Sequence, residues 1–397
     1  MSIRYLTGLP RGAELVIIGG GIVGAATAFH AARAGLRPLI VERRPALCSL
    51  TTAVAAGGFR LQLETREQLE LVRESTELFL NFAEVTGQAG NHAGVRQQGY
   101  LWLTTSSDGA ERQRRLVAEQ RGWGIGDVDL LDGDEARKAF PFVSETVVQA
   151  RFRAADGLLD PKAVTMGLAA ASGTDALVGC GVVGLDVRGR VVEVRTTLGS
   201  LRADAVVVAA GPFSGEVARL GGVELPVAAV RRQKLVMPEV PQVPYGAPMT
   251  IDDDTGAHWR PAYQGASLMF ADPETPPSAP SEDVPLDHRF AFQLLDPSSP
   301  VAVSRVVPFW REVWESWSAP WLLQAGHYTM TPDHRPLIGQ TEVDGLLVNT
   351  GYSGRGVMAG PAGSRRLVDL LTGVTDAAAN PFRPDRDFEA VPAVDIL

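Results

Sequence analysis

The start of the chain alternates short apolar runs with a segment rich in small residues. Residues 15–18 and 38–41 are apolar throughout, and residues 22–34 between them are rich in alanine. Continuous apolar runs of this length indicate strands buried on both faces, and Gly35 can close the intervening helix in a left-handed conformation. We therefore predict a β-α-β unit with parallel strands.

The rest of the chain mixes helical and strand-like patterns. Between residues 65 and 84, apolar side chains recur on one side of a predicted helix. Further elements are predicted as helices over residues 108–121 and 132–139 (with Asp132 and Asp134 as caps), strands over 99–104 and 205–210, and a hairpin from 182–186 and 191–196. Residues 238–308 are rich in Pro, Asp and aromatic residues, with strand-like pieces at 257–261 and 267–271, which predicts an inserted sheet domain. Residues 273–285 predict a mobile surface loop.

Length and composition are those of an ordinary globular enzyme. The chain has 397 residues, 45% of them hydrophobic and 21% charged, and this length favours roughly two domains. Its 37 Lys and Arg against 46 Asp and Glu give a net charge of -9, which argues against nucleic acid as a partner. The only cysteines in the sequence, Cys48 and Cys180, indicate neither a disulfide framework nor a metal site, and a reducing, cytoplasmic compartment fits best.

A membrane span or a signal peptide is an alternative for residues 15–32, which hold no Asp, Glu, Lys or Arg. Several glycines interrupt this stretch, and no small-residue cleavage site follows it. We therefore expect a buried strand, turn and helix, and no membrane span.

A glycine pattern lies at the turn of the predicted β-α-β unit. Gly19, Gly21 and Gly24 follow the first strand with the spacing GxGxxG, and Glu42 ends the second strand. Glycine at these places lets backbone amides approach a pyrophosphate at a helix N-terminus, and Glu42 can accept hydrogen bonds from ribose hydroxyls. The pattern predicts dinucleotide binding, with a glycine-rich packing turn as the alternative, and does not separate FAD from NAD.

Four further segments form an ordered set of motifs. A small-residue loop covers residues 51–58, and an AAGPFS run covers residues 209–214. Tyr328 begins a YTMTPD segment, and a GYSGRG run covers residues 351–356. In this order they resemble the amino-acid oxidase family of flavoproteins, which includes D-amino-acid, glycine and sarcosine oxidases; Phe213 replaces the usual Trp. The resemblance covers nearly the whole chain and implies FAD as the cofactor.

The resemblance implies an α/β fold, with an antiparallel-sheet-rich substrate domain inserted into a Rossmann-like FAD-binding domain of the glutathione-reductase type. We assign residues 1–95, 146–225 and 321–397 to the FAD-binding domain, and residues 96–145 and 226–320 to the substrate domain. The residues implied to bind FAD are Gly19, Gly21, Ile22, Val23, Gly24, Glu42, Arg43, Thr51, Thr52, Ala56, Gly57, Gly58, Val183, Ala210, Gly211, Gly351, Gly354, Arg355, Gly356, Val357 and Met358.

FAD is expected to be bound without a covalent link. Sarcosine oxidases attach it through a Cys two residues before the YTMTPD segment, where this chain has Gly326. Dimethylglycine-dehydrogenase-like members use a His where this chain has Val54. Neither side chain can form the bond.

The implied reaction is oxidation of a C–N bond of a small amino acid or N-alkyl amino acid, such as sarcosine, glycine or proline, to an imine. Tyr328 aligns with a tyrosine that lines the family's substrate cavity, and a core tyrosine is the alternative. Arg60 and Arg260 are equal candidates to bind the substrate carboxylate, since an Arg fork can hold both oxygens; each has a surface or pyrophosphate role as its alternative. Met358 stands where sarcosine oxidases have a carboxylate-binding Lys.

The electron acceptor is left open between oxygen and another acceptor. Of the three lysines, Lys138 and Lys162 are expected in solvent, and Lys234 is the one exception that could approach the flavin. We therefore expect oxygen to be a slow acceptor. The alternatives are an FAD subunit of a dye-linked amino-acid dehydrogenase complex and a non-catalytic flavoprotein or assembly factor. Whether the protein forms homo-oligomers is also left open.

Overall fold

The computed structural model describes residues 3–316 and 319–389. Within these residues the helices are α1 Ile22–Arg33, α2 Thr51–Val54, α3 Arg66–Leu80, α4 Phe82–Thr86, α5 Ser107–Gly122, α6 Gly133–Ala139, α7 Pro161–Ser172, α8 Ser214–Arg219, α9 Arg289–Leu295, α10 Phe309–Ser316 and α11 Gly356–Leu371. The strands are β1 Arg4–Tyr5, β2 Gly12–Ile18, β3 Pro38–Val41, β4 Gly58–Phe59, β5 Tyr100–Thr104, β6 Asp129–Asp132, β7 Gln149–Arg153, β8 Gly157–Leu158, β9 Asp175–Leu177, β10 Val182–Val187, β11 Val191–Thr196, β12 Gly199–Val208, β13 Ala228–Met237, β14 Met249–Asp252, β15 His258–Ala262, β16 Gly265–Phe270, β17 Pro277–Ser278, β18 Leu322–Met330, β19 Leu337–Gln340 and β20 Leu346–Thr350.

The first sheet contains the predicted β-α-β unit, which is confirmed. Its strands lie in the order β1-β9-β3-β2-β12-β11-β10, and β20 pairs with both β12 and β19. In this order the neighbouring strands β1, β9, β3, β2 and β12 pair in parallel, whereas β12 pairs antiparallel with β11, and β11 pairs antiparallel with β10. Helix α1 packs on α7 and α11 and covers Leu15, Ile17 and Ile40, which are buried. The predicted hairpin is β10 and β11.

The second sheet separates a helix-packed core from an open face. Its strands lie in the order β17-β13-β16-β15-β14-β5-β7-β6, and β18 pairs with the other side of β13. Trp259 and Leu268 pack on one face with Trp310 of α10 and with α9. Trp102 and Met269 project from the opposite face, because successive residues of a strand point to opposite sides. This inner face forms one wall of the functional site.

Two predicted helices have expected caps, whereas Asp134, the other candidate cap for α6, lies within the first turn of that helix. The side chain of Asp132 accepts from the backbone of Glu135, and the Glu135 side chain accepts from the backbone of Asp132, so α6 begins with a complete capping box. Gly35 has a φ of +86°, the left-handed conformation that was expected after α1. No helix in residues 3–316 and 319–389 is long and apolar enough to cross a membrane.

Three features differ from the sequence prediction. The helix expected over residues 65–84 is divided at Asn81, whose φ of -108° and ψ of 24° are not helical. Strands β7 and β18 fall in ranges assigned to the FAD-binding domain, but they pair with β5 and β13 of the second sheet. Residues 273–285 include β17, and Glu282 forms ion pairs with Arg43 and Arg44 at 2.7 and 2.6 Å. These partners are distant in sequence, so local patterns do not show them.

Candidate active site

A cavity of about 500 Å³ lies between the two sheets. The ends of β2, β3 and β12 and the loops that follow them form one side, and the inner face of the second sheet forms the other. Open α/β sheets bind ligands at the carboxyl ends of their parallel strands. The cavity therefore lies where a cofactor and a substrate would meet.

The dinucleotide end of the cavity is built around the N-terminus of α1. The N-cap residue of this helix, Gly21, has no capping side chain, its first turn holds no acidic residue, and Oγ1 of Thr52 accepts from the N–H of Ile22 at 3.3 Å. Its positive end therefore has no anionic partner among the described residues and suits a pyrophosphate. The two carboxylate oxygens of Glu42 accept from the backbone N–H groups of Gly20 and Arg44 at 2.7 and 2.8 Å. Each oxygen keeps a second lone pair, so the carboxylate is held in place and can still accept from ribose hydroxyls.

Glycine is required where α1 crosses the end of β2. A Cβ on Gly24 would lie 1.9 Å from the backbone oxygen of Gly19, and a Cβ on Gly19 would lie 2.4 Å from the backbone oxygen of Ala209. No side chain fits at these distances, and Gly19 also has a φ of +116°. Gly24 therefore holds the helix against the strand, whereas Gly19 and Gly21 line the cavity.

The opposite end of the cavity lies between two small-residue loops. Residues 51–58 and 351–358 both border it, and the second loop leads into the N-terminus of α11, which also has no side-chain cap. A Cβ on Gly58 would lie 1.7 Å from the hydroxyl of Tyr100, and one on Gly354 would lie 2.5 Å from the ring of Tyr328. The glycines thus let both rings lie directly against the loops. A flat flavin ring with negative charge near a helix N-terminus fits this arrangement.

The two positions at which the family attaches FAD covalently are neighbours in space. A Cβ on Gly326 would lie 3.0 Å from Cγ2 of Val54. Gly326 is on β18 and Val54 ends α2, and both border the cavity. Neither residue offers a nucleophile at this point.

Arg60 and Arg355 share one carboxylate. Oε2 of Glu64 accepts from Nη2 of Arg355 at 3.3 Å, and Oε1 of Glu64 lies 3.9 Å from Nη2 of Arg60. Both guanidinium groups are buried and both line the cavity. Burial lowers the pKa of Arg355, and the charge of Glu64 opposes this effect. Among the described residues, Glu64 is thus a carboxylate that both guanidinium groups approach at the edge of the cavity.

Tyr328 lies among three arginines. Cζ of Arg232 is 5.7 Å from the centre of its ring. Burial raises the pKa of the Tyr328 phenol, and Arg232, Arg355 and Arg60 act in the opposite direction. The phenol is therefore protonated at neutral pH and can donate a hydrogen bond into the cavity.

His258, Met269 and Lys234 lie side by side on the inner face of the second sheet, where strand register pairs Lys234 with Met269 and Met269 with His258. Nδ1 of His258 lies 2.9 Å from the carbonyl oxygen of Gly256, so this nitrogen donates and Nε2 is left as an acceptor. Burial lowers the pKa of His258 to about 4, and the ring is neutral at pH 7. Burial and the positive charges of Arg260 and Lys162 lower the pKa of Lys234 to about 8. At pH 7 its side chain is therefore mostly in the charged form.

Most residues implied to bind FAD line the cavity, and the exceptions are Gly24 and Val183. The side chain of Val183 is 52% exposed, and its neighbour Val182 lines the cavity because adjacent strand residues face opposite sides. Of the two arginine candidates, Arg60 lines the cavity and Arg260 does not. Nη1 of Arg260 donates to the carbonyl oxygen of Pro261 at 3.0 Å.

Sequence reasoning missed Arg232, His258, Tyr100 and Trp102, all of which line the cavity. Arg232 and Lys234 have the two-residue spacing of one strand face, which was a visible signal. Which face points inward depends on pairing with β16 and β18, and the sequence pattern does not contain that pairing.

The ordered motifs agree with a comparison against known families. A model described as FAD dependent oxidoreductase matches residues 14–370. The chain belongs to this family. FAD is therefore the cofactor of this oxidoreductase, and the helix N-termini, the Glu42 carboxylate and the glycine-rich loops fit that group.

The oxidoreductase has relatives that act on several amino-acid substrates. It is 27% identical over 381 residues to the mitochondrial sarcosine dehydrogenase of Mus musculus. The aligned region covers 91% of this chain but only 40% of that protein. It is also 27% identical over 428 residues to the D-amino acid dehydrogenase of Cereibacter sphaeroides, covering 91% of this chain and 92% of that protein. The crystal structure of L-proline dehydrogenase from P. horikoshii shares the fold, with a TM-score of 0.82, 23% identity, and coverage of 95% of this chain and 98% of that one.

Proposed function

We propose that this oxidoreductase oxidises the C–N bond of a small amino acid or N-alkyl amino acid to an imine, which water then hydrolyses. The main support is the charge of the substrate end of the cavity, which is lined by Arg60, Arg232, Lys234 and Arg355. Among the described residues that line the cavity, the acids are Glu42 and Glu216, and both belong to the first-sheet side. This balance of charge favours a substrate with a carboxylate.

Arg60 is the proposed anchor for that carboxylate. Its Nε donates to the carbonyl oxygen of Gln62 at 3.2 Å, and its Nη2 has no hydrogen-bond partner among the described residues, with Glu64 at 3.9 Å. Nη2 is therefore the nitrogen proposed to donate to a substrate carboxylate oxygen. The Tyr328 phenol is proposed to donate to the same substrate group, because a desolvated carboxylate without paired donors costs several kcal/mol.

His258 is proposed to bind the substrate amine in its neutral form, after the amine has released its proton to solvent. FAD, when bound, supplies the acceptor for the hydride that leaves the α-carbon once the amine has lost its proton. Nε2 of His258 can accept an N–H from the neutral amine, and its low pKa keeps that nitrogen unprotonated. In the described part of the inner face, no carboxylate lines the cavity to stabilise an ammonium group. The chain's residues thus orient the substrate and favour its reactive form.

An anaerobic screen of flavin reduction tests the proposal. N-methyl, cyclic and primary amino acids of both hands are mixed with the purified protein, and the corresponding amines without a carboxylate serve as controls. At least one amino acid should bleach the flavin absorbance, and its decarboxylated analogue should not. Failure of every amino acid would overturn the proposal and favour a non-catalytic flavoprotein.

The electron acceptor is proposed to be either oxygen or a partner in a dehydrogenase complex, and the compartment is proposed to be a reducing one. Peroxide formation during turnover would indicate an oxidase, and its absence with rapid dye reduction would indicate a subunit of a dehydrogenase complex. The free, buried state of Cys48 and Cys180 supports a reducing compartment such as the cytoplasm.

A further inference from the structure

A second pair of cations faces the cavity from β13. Arg232 and Lys234 are two residues apart on this strand, so their side chains leave the same face, and both line the cavity. Nη1 of Arg232 donates to the carbonyl oxygens of Arg231 and Asp272 at 3.2 and 3.3 Å. Within residues 3–316 and 319–389, neither Arg232 nor Lys234 has a carboxylate at ion-pair distance, although burial lowers the pKa of Arg232 and the charge of Asp272, acting from further away, opposes this lowering.

The fully buried arginines among the described residues have carboxylate partners, whereas Arg232 and Lys234 are half-buried and have none at ion-pair distance. Nη1 of Arg153 lies 2.6 Å from Asp156, and Nη2 of Arg386 lies 2.9 Å from Asp333. A cation that is taken out of water without a counter-charge destabilises the fold, so two such cations facing one cavity indicate an anion that binds there. The pyrophosphate of FAD is not that anion, because its place is at the N-terminus of α1 on the first-sheet side.

Lys234 is distant from the Arg60 end of the cavity. Cζ of Arg60 lies 5.3 Å from the ring of Trp102, and strand register joins Trp102 to Lys234 through Ile251, His258 and Met269. Four steps of about 4.8 Å separate the Cα atoms of Trp102 and Lys234 by about 19 Å. Arg232 lies nearer to that end, because Arg232 and Arg60 both act on the phenol of Tyr328. Lys234 is therefore the cation that lies apart from Arg60, with Met269 and His258 beside it on the sheet.

We propose that the substrate carries a second acidic group, on its side chain or on its nitrogen substituent, and that Lys234 and Arg232 bind this group while Arg60 binds the α-carboxylate. The amine then lies between the two ends, beside His258 and Met269. This assignment rests on the proposed function and narrows its substrate class to dicarboxylic amino acids or N-carboxyalkyl amino acids.

Matched substrate pairs test the proposal by anaerobic flavin reduction. The pairs are glutamate with glutamine, aspartate with asparagine, and N-carboxymethylglycine with N-methylglycine, with both hands where the compound is chiral. In at least one pair the acidic member should reduce the flavin at least tenfold more efficiently at low concentration. Lys234→Met should lower that efficiency about thirtyfold, as expected when a charge-assisted contact is lost, and should reduce the preference for the acidic over the neutral member of the pair.

Three further variants control for loss of charge and of fold. Lys138→Met removes the same charge from an exposed position on α6 and should change neither member of a pair. Lys234→Arg should restore part of the preference, and Arg232→Met should weaken the acidic member independently. Flavin content and the unfolding midpoint show whether each variant is folded. If Lys234→Met does not fold, the preference of the wild-type protein for the acidic over the neutral member of each pair decides whether the inference holds.

Different outcomes separate this inference from the proposed function. Efficient reduction by neutral amino acids without a preference for the acidic members would overturn the inference alone, whereas no reduction by any amino acid would overturn both. A Lys234→Met variant that slows only the reaction with oxygen, or that weakens acidic and neutral members equally, would also overturn the inference.

Discussion

Replacing Arg60 by Met removes a buried cation and keeps much of the side-chain volume. Arg60 is 4% exposed, and its ion-pair contact with Glu64 is long, at 3.9 Å. After the change, Glu64 still accepts from Arg355 at 3.3 Å, so no carboxylate is left without a counter-charge. The variant should therefore fold and bind FAD.

The expected loss lies in substrate binding. A charge-assisted contact between a guanidinium and a carboxylate, in a site shielded from water, contributes about 3 kcal/mol. This corresponds to about a hundredfold loss in kcat/KM. The carboxylate is held equally before and during the reaction, so the loss should fall mainly on the dissociation constant and less on the rate of flavin reduction.

Anaerobic titration and stopped-flow reduction with the best substrate of the screen measure both quantities. Arg260→Met is the matched comparison, because it makes the same chemical change outside the cavity lining. The substrate dissociation constant of Arg260→Met should stay within about threefold of the wild-type value, because this arginine does not line the cavity. Wild-type behaviour of Arg60→Met would refute the reasoning. A loss confined to Arg260→Met would move the anchor to that residue, and normal turnover in both would place it elsewhere.

The same structure sets four other expectations. Acid precipitation should release the yellow colour into the supernatant, because neither anchor position carries a nucleophile, and colour in the pellet would contradict this. Gly24→Ala should weaken FAD binding and lower the unfolding midpoint, because its Cβ would lie 1.9 Å from a backbone oxygen, whereas Gly126→Ala, with open space around it, should do neither. An artificial dye should outpace air at saturating substrate, although Lys234 lines the cavity, and a fast aerobic rate that collapses in Lys234→Met would show the opposite. Stability should fall as the pH drops from 6.5 towards 4, because burial lowers the pKa of His30 and His258 to about 4 and the unfolded chain then binds more protons; replacing both by Asn should flatten this slope, and an unchanged slope would count against it.

Local patterns were enough to predict the first half of the dinucleotide site. The apolar run before Gly19, the alanine-rich helix and the run ending at Glu42 all depend on neighbours in sequence, and the structure has each of them. The division of the long helix at Asn81 was missed, because its apolar stripe continues on both sides of the break.

The substrate side was harder to predict because it depends on pairing between distant strands. Motif order pointed to Tyr328, and Arg60 and Arg260 stood as equal candidates, but no motif marks Arg232 or His258, whose position follows from the register of β13, β15 and β16. Val183, implied to bind FAD, does not line the cavity whereas Val182 does, since a shift of one residue reverses the face of a strand. The choice between Arg60 and Arg260 likewise required the cavity itself.

The contact between Val54 and the Cβ position of Gly326 has a consequence for how this protein can be used. The two positions at which the sequence resemblance places a covalent link adjoin each other in this chain. Because neither carries a nucleophile, we expect that the cofactor can be removed and replaced by flavin analogues of altered reduction potential. A covalent link could also be engineered here. Gly326→Cys would place a thiol at this position, and Val54→Ala would remove the side-chain carbon that lies 3.0 Å from the new Cβ.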